Sequence, residues 1–255
     1  MNNIKIPKDA VITIAGTVGV GKSTMTKTIA DKLGFQTSLE KVDDNPYLEP
    51  FYSDFQRWSF HLQVYFLAER FKEQKRIFES GGGYVQDRSI YEDTGIFAKM
   101  HADKGTMSEV DYETYTSLFE AMVMTPYFPH PDVLIYLHGD LDHILHRIEE
   151  RGREMETQTD RAYWEEMYTR YTEWIEQFDL CPVIKINIED YDLLHDESSL
   201  DPILHEIASV IQKNRNKTNM AEEEGFEPPR ALTPLSVFKT DPFSRTWVFL
   251  RIDKN

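Results

Sequence analysis

Residues Gly16, Thr17, Val18, Gly19, Val20, Gly21, Lys22 and Ser23 spell G-x-x-x-x-G-K-[ST], with Thr24 directly behind. Glycines at these places let successive backbone N–H groups curl around phosphate oxygens. Lys22 then reaches the terminal phosphates and Ser23 offers a hydroxyl to Mg²⁺. Two carboxylates stand where a reacting hydroxyl or a metal would want them: Glu40, and Asp87 in Asp87-Arg88-Ser89. Either could take a proton from an attacking hydroxyl, worth about 10² to 10⁴-fold in rate, or hold the metal. A third group is Arg147-x-x-x-Arg151-Gly152-Arg153. Arg147 and Arg151 lie one helical turn apart, as in a lid that brings guanidinium charge to a transferring phosphoryl group. Interleaved Glu149, Glu150, Glu154 and Glu156 also suit an ion-paired surface helix.

These groups need a scaffold that brings them together. Ala10 to Ala15 is a β-branched apolar run ending at Gly16, and Lys22 to Leu33 reads as a helix, so the glycine loop joins strand to helix. Further strands are predicted at Phe35 to Leu39, Tyr84 to Gln86, Val133 to Leu137 and Val183 to Ile188. Helices are predicted at about Asp54 to Glu79, Ile90 to Lys104, Ser108 to Thr125, Leu141 to Glu150, Asp160 to Phe178 and Leu200 to Asn214. Alternation of this kind gives an α/β fold, a parallel sheet of about five strands flanked by helices and joined by right-handed crossovers. Glu40 and Asp87 then leave the carboxyl edge of that sheet beside the loop, where open α/β sheets bind ligands.

The 44 Asp and Glu residues outnumber 28 Lys and Arg among 255 residues, a net charge of −16. That balance opposes binding to nucleic-acid backbones and anionic membranes. It does not oppose one small anion held in a locally positive loop. The single Cys181 excludes an intrachain disulfide framework. The first residues lack the apolar stretch of a signal peptide, and a cytoplasmic location is expected. Residues 221–255 carry four of the 12 prolines, six acids and five bases, with no sustained period. One catalytic domain over residues 1–218 is expected, with residues 219–255 as a disordered tail outside its fold.

Taken together, these residues make the chain resemble the deoxynucleoside kinases, and among them the bacterial deoxyadenosine/deoxycytidine kinases, over about residues 8 to 215. The resemblance rests on the glycine loop, Glu40 with Asp44-Asn45-Pro46-Tyr47-Leu48, and Tyr52 eleven residues before Gln63. It continues through Arg70, Asp87-Arg88-Ser89, Asp93, and Arg147, Arg151 and Arg153 followed by Glu156. It implies a P-loop NTPase-type fold with an arginine-rich lid, and a homodimer formed through long helices whose apolar faces could equally cover the sheet. ATP or another nucleoside triphosphate would be the donor, with Mg²⁺, and a deoxynucleoside the acceptor. Glu40 would be the general base at the 5′-hydroxyl, with Arg88 at the same hydroxyl or the incoming phosphoryl oxygens. Tyr52 and Glu156 would hold the 3′-hydroxyl, and Gln63, helped by Arg70 and Asp93, the base edge. Asp87 would serve Mg²⁺ directly or through water, with proton acceptance as its alternative. Lys41 departs from the proline that many relatives carry after the glutamate.

The implied reaction is 5′-phosphorylation of deoxyadenosine or deoxycytidine in nucleotide salvage. A deoxyguanosine-preferring kinase, a thymidylate-type nucleoside monophosphate kinase and a non-catalytic nucleotide-binding module are the alternatives. A monophosphate acceptor would be repelled by Glu40, and no NKxD guanine reader is present.

Overall fold

The structure, a computed structural model, describes residues 5–40, 44–125, 127–128, 130–193 and 196–223. Five parallel strands form one sheet: β1 (Val11–Ala15), β2 (Gln36–Ser38), β3 (Tyr84–Asp87), β4 (Val133–His138) and β5 (Val183–Asn187). Their spatial order is β2-β3-β1-β4-β5. Every residue of β1 is buried, as expected of a central strand covered by helices on both faces, and its sequence is apolar but for Thr13. Helices in chain order are α1 (Lys22–Leu33), α2 (Leu48–Ser53), α3 (Phe55–Ser80), α4 (Ile90–Glu92), α5 (Lys99–Asp103), α6 (Glu109–Val123), α7 (Leu141–Arg151), α8 (Glu154–Thr157), α9 (Arg161–Gln177) and α10 (Leu200–Glu223).

The strand and long-helix expectations hold to within a few residues, because apolar runs are closed by cap residues. Asp54, Ser108 and Asp140 accept from the backbone N–H groups of Arg57, Asp111 and His143 at the starts of α3, α6 and α7. Three differences stand out. The helix expected from Ile90 to Lys104 is interrupted by a π-helical turn at Asp93–Ala98. α2 and α8 are too short for a periodic signal. α10 runs to Glu223, beyond Asn214 and into the first residues of the expected tail. The rest of that tail, 224–255, lies outside the described residues.

Strand register fixes the site. Ile14 pairs with Asp87, so β3 ends level with the start of the glycine loop. Ser38 pairs with Gln86, and two more residues along each strand bring Glu40 level with Arg88. One main core lies on both faces of the sheet, with Ile12, Ile14, Ile135 and Leu137 at its centre and Tyr115, Met167 and Ile207 from the covering helices. Among the described residues no helix is long and apolar enough to cross a membrane.

Candidate active site

A cleft of about 950 Å³ opens over the carboxyl edge of the sheet. Its floor is Val18 to Thr24, its acceptor side carries Glu40, Tyr52, Gln63, Asp87, Arg88 and Asp93, and its lid side carries Arg147, Arg151, Arg153 and Glu156. Gly16, Thr17 and Arg70 stand behind this wall.

The glycine loop ends α1 at its amino terminus through Gly21, whose backbone is left-handed. Lys22 folds back so that its Nζ donates to the Thr17 carbonyl at 2.9 Å, which holds the loop closed. Burial and the neighbouring Arg88 push the Lys22 ammonium down to about 8, against the pull of Asp87, Glu40 and Glu92. Gly19 is required by packing as well as by conformation. A Cβ there would lie 2.6 Å from the Ile148 side chain and 3.2 Å from the Ile144 carbonyl. The loop therefore abuts α7, and Arg147 directs Nη1 to the Val20 carbonyl at 3.5 Å.

Ser23 Oγ donates to Asp87 Oδ2 at 2.5 Å, while Asp87 Oδ1 is buried without a hydrogen-bond partner among the described residues. A free carboxylate oxygen beside a hydroxyl at a phosphate loop is an oxygen donor set that suits Mg²⁺.

Arg70 braces the acceptor side from beneath. Its Nε donates to Asp93 Oδ2, its Nη1 to the Asp87 carbonyl and its Nη2 to Glu40 Oε1, each at 3.0 Å. Expected to help Gln63 at the base edge, it commits three guanidinium nitrogens to these oxygens. Glu40 also has Arg88 Nε at 3.3 Å. Burial alone would raise the Glu40 carboxyl, yet the Arg88 and Arg70 guanidiniums, with Lys22 and Arg153, bring it below the ordinary range. It is an ionised acceptor at neutral pH.

Arg88 has φ +68°, the left-handed region that L-residues with a side chain rarely adopt, at a cost of roughly 1–3 kcal/mol. Its neighbours hold it there. The Arg88 N–H donates to the Ile14 carbonyl at 2.9 Å. The Phe97 ring lies 4.5 Å under the guanidinium, a cation–π contact. The π-helical turn carries both Asp93 and Phe97 to this point.

Gln63 is buried, and its Oε1 has no hydrogen-bond partner among the described residues. A buried amide oxygen of this kind is open to a ligand's donor. Tyr52 packs edge-on to Phe51 and Tyr163, and burial, followed by the charge of Glu156, keeps its phenol protonated. Glu156 is buried and held by Arg151 and Arg153. Between Arg151 and Arg153, Gly152 has φ +69° and ends α7.

Sequence reasoning missed several cleft residues: Phe51, Phe97 and Tyr163 along the wall, and Tyr191 at the mouth. It also missed Glu92 beneath the loop. For Glu92 a signal was present, because Ser89-Ile90-Tyr91-Glu92 is a capping box, which the structure forms.

The comparisons with known proteins agree with this geometry. The family model described as "Deoxynucleoside kinase" matches residues 12–212. The chain is 75% identical to a Bacillus subtilis deoxyadenosine/deoxycytidine kinase over 217 residues, 85% of this chain and 100% of that one. It is 36% identical to a Lactobacillus acidophilus deoxyadenosine kinase, over 81% of this chain and 98% of the relative. A solved structure of deoxyadenosine kinase from M. mycoides with bound dCTP matches with a TM-score of 0.67 at 29% identity, covering 78% of this chain and 100% of that one. On the family match and these identities, the chain belongs to the deoxynucleoside kinase family.

Proposed function

We propose that the protein transfers the γ-phosphoryl group of ATP or another nucleoside triphosphate to the 5′-hydroxyl of deoxyadenosine and deoxycytidine, as a step of deoxynucleoside salvage. The observation that carries this reading is the Glu40 carboxylate, facing the cleft beside the Lys22 loop and fixed from behind by Arg70. An anion there accepts a proton from an uncharged alcohol and repels an acceptor that already bears a phosphate. The 75% identity to a deoxyadenosine/deoxycytidine kinase supports the choice of bases.

Backbone N–H groups of the glycine loop and Lys22 hold the donor phosphates, and Arg147, Arg151 and Arg153 close over them from the lid. Ser23 and Asp87 would hold Mg²⁺, which when bound neutralises charge on the donor phosphates. Tyr52 donates to the 3′-hydroxyl oxygen and Glu156 accepts its proton. Gln63 pairs with the base edge, while Arg70 and Asp93 fix the floor beneath it.

The acceptor's O5′ attacks phosphorus, the bond to the leaving diphosphate breaks, and the hydroxyl proton passes to Glu40. A carboxylate of low basicity suffices, because the loose transition state acidifies the hydroxyl only as the new O–P bond forms. Arg88 supplies positive charge to the same oxygen and to the phosphoryl group in flight.

The wider reading is a cytoplasmic homodimer. Exposed Val110 and Leu118 on α6, Met124 directly after it and Phe78 on α3 support association through those helices. The catalytic domain is residues 1–218, with residues 219–255 outside it although α10 continues through Glu223. The alignment of 217 residues to the whole length of the Bacillus subtilis relative supports that division.

The test is turnover with MgATP across deoxyadenosine, deoxycytidine, deoxyguanosine, thymidine and their 5′-monophosphates. The highest kcat/KM is expected with deoxyadenosine and deoxycytidine. Turnover confined to monophosphates, a preference for deoxyguanosine, or nucleotide binding without turnover would each overturn it.

A further inference from the structure

The most completely satisfied buried carboxylate near the cleft is Glu92, which the mechanism above does not use. It is fully buried, and its two oxygens accept from four donors. Oε1 takes the Gly16 N–H at 3.3 Å and the Tyr171 hydroxyl at 2.9 Å. Oε2 takes the Ser89 N–H at 2.7 Å and the Ser89 hydroxyl at 3.1 Å. With every contact a donor, the four partners suit a carboxylate acceptor; burial pushes the Glu92 carboxyl up, and Arg88, Lys22, the Ser89 N–H and the Tyr171 hydroxyl oppose that rise. The Tyr171 hydroxyl, having given its proton to Glu92, accepts from Arg88 Nη1 at 3.2 Å.

The result is a continuous chain from the first glycine of the phosphate loop, through Glu92 on α4 and Tyr171 on α9, to the guanidinium of Arg88. Neither Glu92 nor Tyr171 lines the cleft, so neither can touch a substrate there. We propose that Glu92 and Tyr171 are positioning residues for phosphoryl transfer. Tyr171 holds the Arg88 guanidinium in its strained left-handed setting, and Glu92 locks that hydroxyl to the entrance of the phosphate loop.

Three features support it beyond the distances. Arg88 has left-handed backbone, so its side chain needs an external hold to keep one direction. Its Nε reaches Glu40 as an ion pair yet makes no hydrogen bond among the described residues, and Tyr171 is the side chain among them that hydrogen-bonds the fork. Burial keeps the Tyr171 phenol protonated, as a hydrogen-bond relay requires. Tyr171 also rides on the helix that follows the lid and carries Tyr163 to the cleft wall. The chain thus links the lid's supporting helix to the group that meets the transferring phosphoryl.

The proposal rests on the catalytic role given to Arg88 above, and a double-mutant cycle separates the two. Tyr171→Phe keeps the ring and its packing against Phe97 and Tyr136 but removes the relay. Its kcat should fall about tenfold or more while the deoxynucleoside KM changes less than about twofold, the mark of an interaction made in the transition state. In an Arg88→Lys background the same substitution should cost less than about twofold, because residues acting through one another are not additive. Wild-type kcat in Tyr171→Phe would overturn the proposal, and so would equal fold-losses in both backgrounds, the pattern of a merely structural residue. Full turnover of Arg88→Lys would instead remove the role assigned to Arg88 itself.

Discussion

Arg70→Met tests how the acceptor side of the cleft is held. The guanidinium is buried and gives three hydrogen bonds of 3.0 Å, two of them to carboxylates. Methionine fills similar space and supplies no charge. The Asp93 side chain, 3% exposed with Arg70 at 3.0 Å, is then left as a buried anion without its partner. Removing one member of a buried pair costs about 3–5 kcal/mol. Summing the three bonds, each from the charged guanidinium at about 1.5–3 kcal/mol, reaches higher, as expected when contributions overlap. A loss of about 3–5 kcal/mol lowers the melting temperature by about 6–20 °C in a chain of this size.

The pH dependence identifies the cause. Burial already raises the Asp93 carboxyl and Arg70 opposes that rise, so without Arg70 its folded-state value climbs further above the unfolded one. A group raised on folding contributes stability at low pH and loses it as pH rises through the folded value. The gap between wild type and Arg70→Met should therefore be larger at pH 8 than at pH 5.5, and adding Asp93→Asn should recover much of it. Urea unfolding at the two pH values, at matched protein concentration, measures both. A gap under about 1 kcal/mol, or one independent of pH and untouched by Asp93→Asn, would refute the reasoning.

Glu40→Gln keeps the size and one acceptor oxygen but cannot take the proton, so kcat should fall by about 10² to 10⁴ with little change in deoxynucleoside affinity by calorimetry. In its proposed role Lys22 would hold phosphate only while protonated, and burial lowers it to about 8. The kcat/KM for the triphosphate should accordingly decline as pH rises through about 8, whereas saturating donor, whose phosphates favour the ammonium, should move that decline to higher pH. Glu156→Ala removes the partner of Arg151 and Arg153 together with the proposed acceptor of the 3′-hydroxyl proton. Comparing 2′-deoxy with 2′,3′-dideoxy substrates should show a larger loss in kcat/KM for the one bearing the 3′-hydroxyl.

The scaffold was legible because its signals are local. β1, the glycine loop and α1 follow from an apolar run, three glycines and the amphipathic segment behind them, and the parallel arrangement follows from helices too long for hairpin loops. The charged half of the site was legible for the same reason: Glu40, Asp87 and Arg88 sit at strand ends. Arg70 was found as a residue but not in its setting. Its three partners come from the end of β3, the segment after β2 and the π-helical turn, and no spacing along the chain announces such a convergence. Tyr171 and Phe97 were invisible in a different way. Each reads as one more aromatic residue on a covered helix face, and only tertiary placement against Arg88 distinguishes them.

The strand order β2-β3-β1-β4-β5 divides the catalytic edge into two territories with the phosphate loop as their border. Glu40, Asp87, Arg88 and Asp93 follow the strands on one flank, and the lid arginines follow a strand on the other. On the proposed roles, changes on one flank bear on the acceptor and changes on the other on the donor, except where the two flanks meet. Among the described residues the lid segment is where they meet, because Glu156 and Tyr163 extend from the β4 flank to the neighbourhood of Tyr52. Grafting the β2–β3 loops of a relative onto this chain without also exchanging residues 154–163 would join two halves fitted to different sugars.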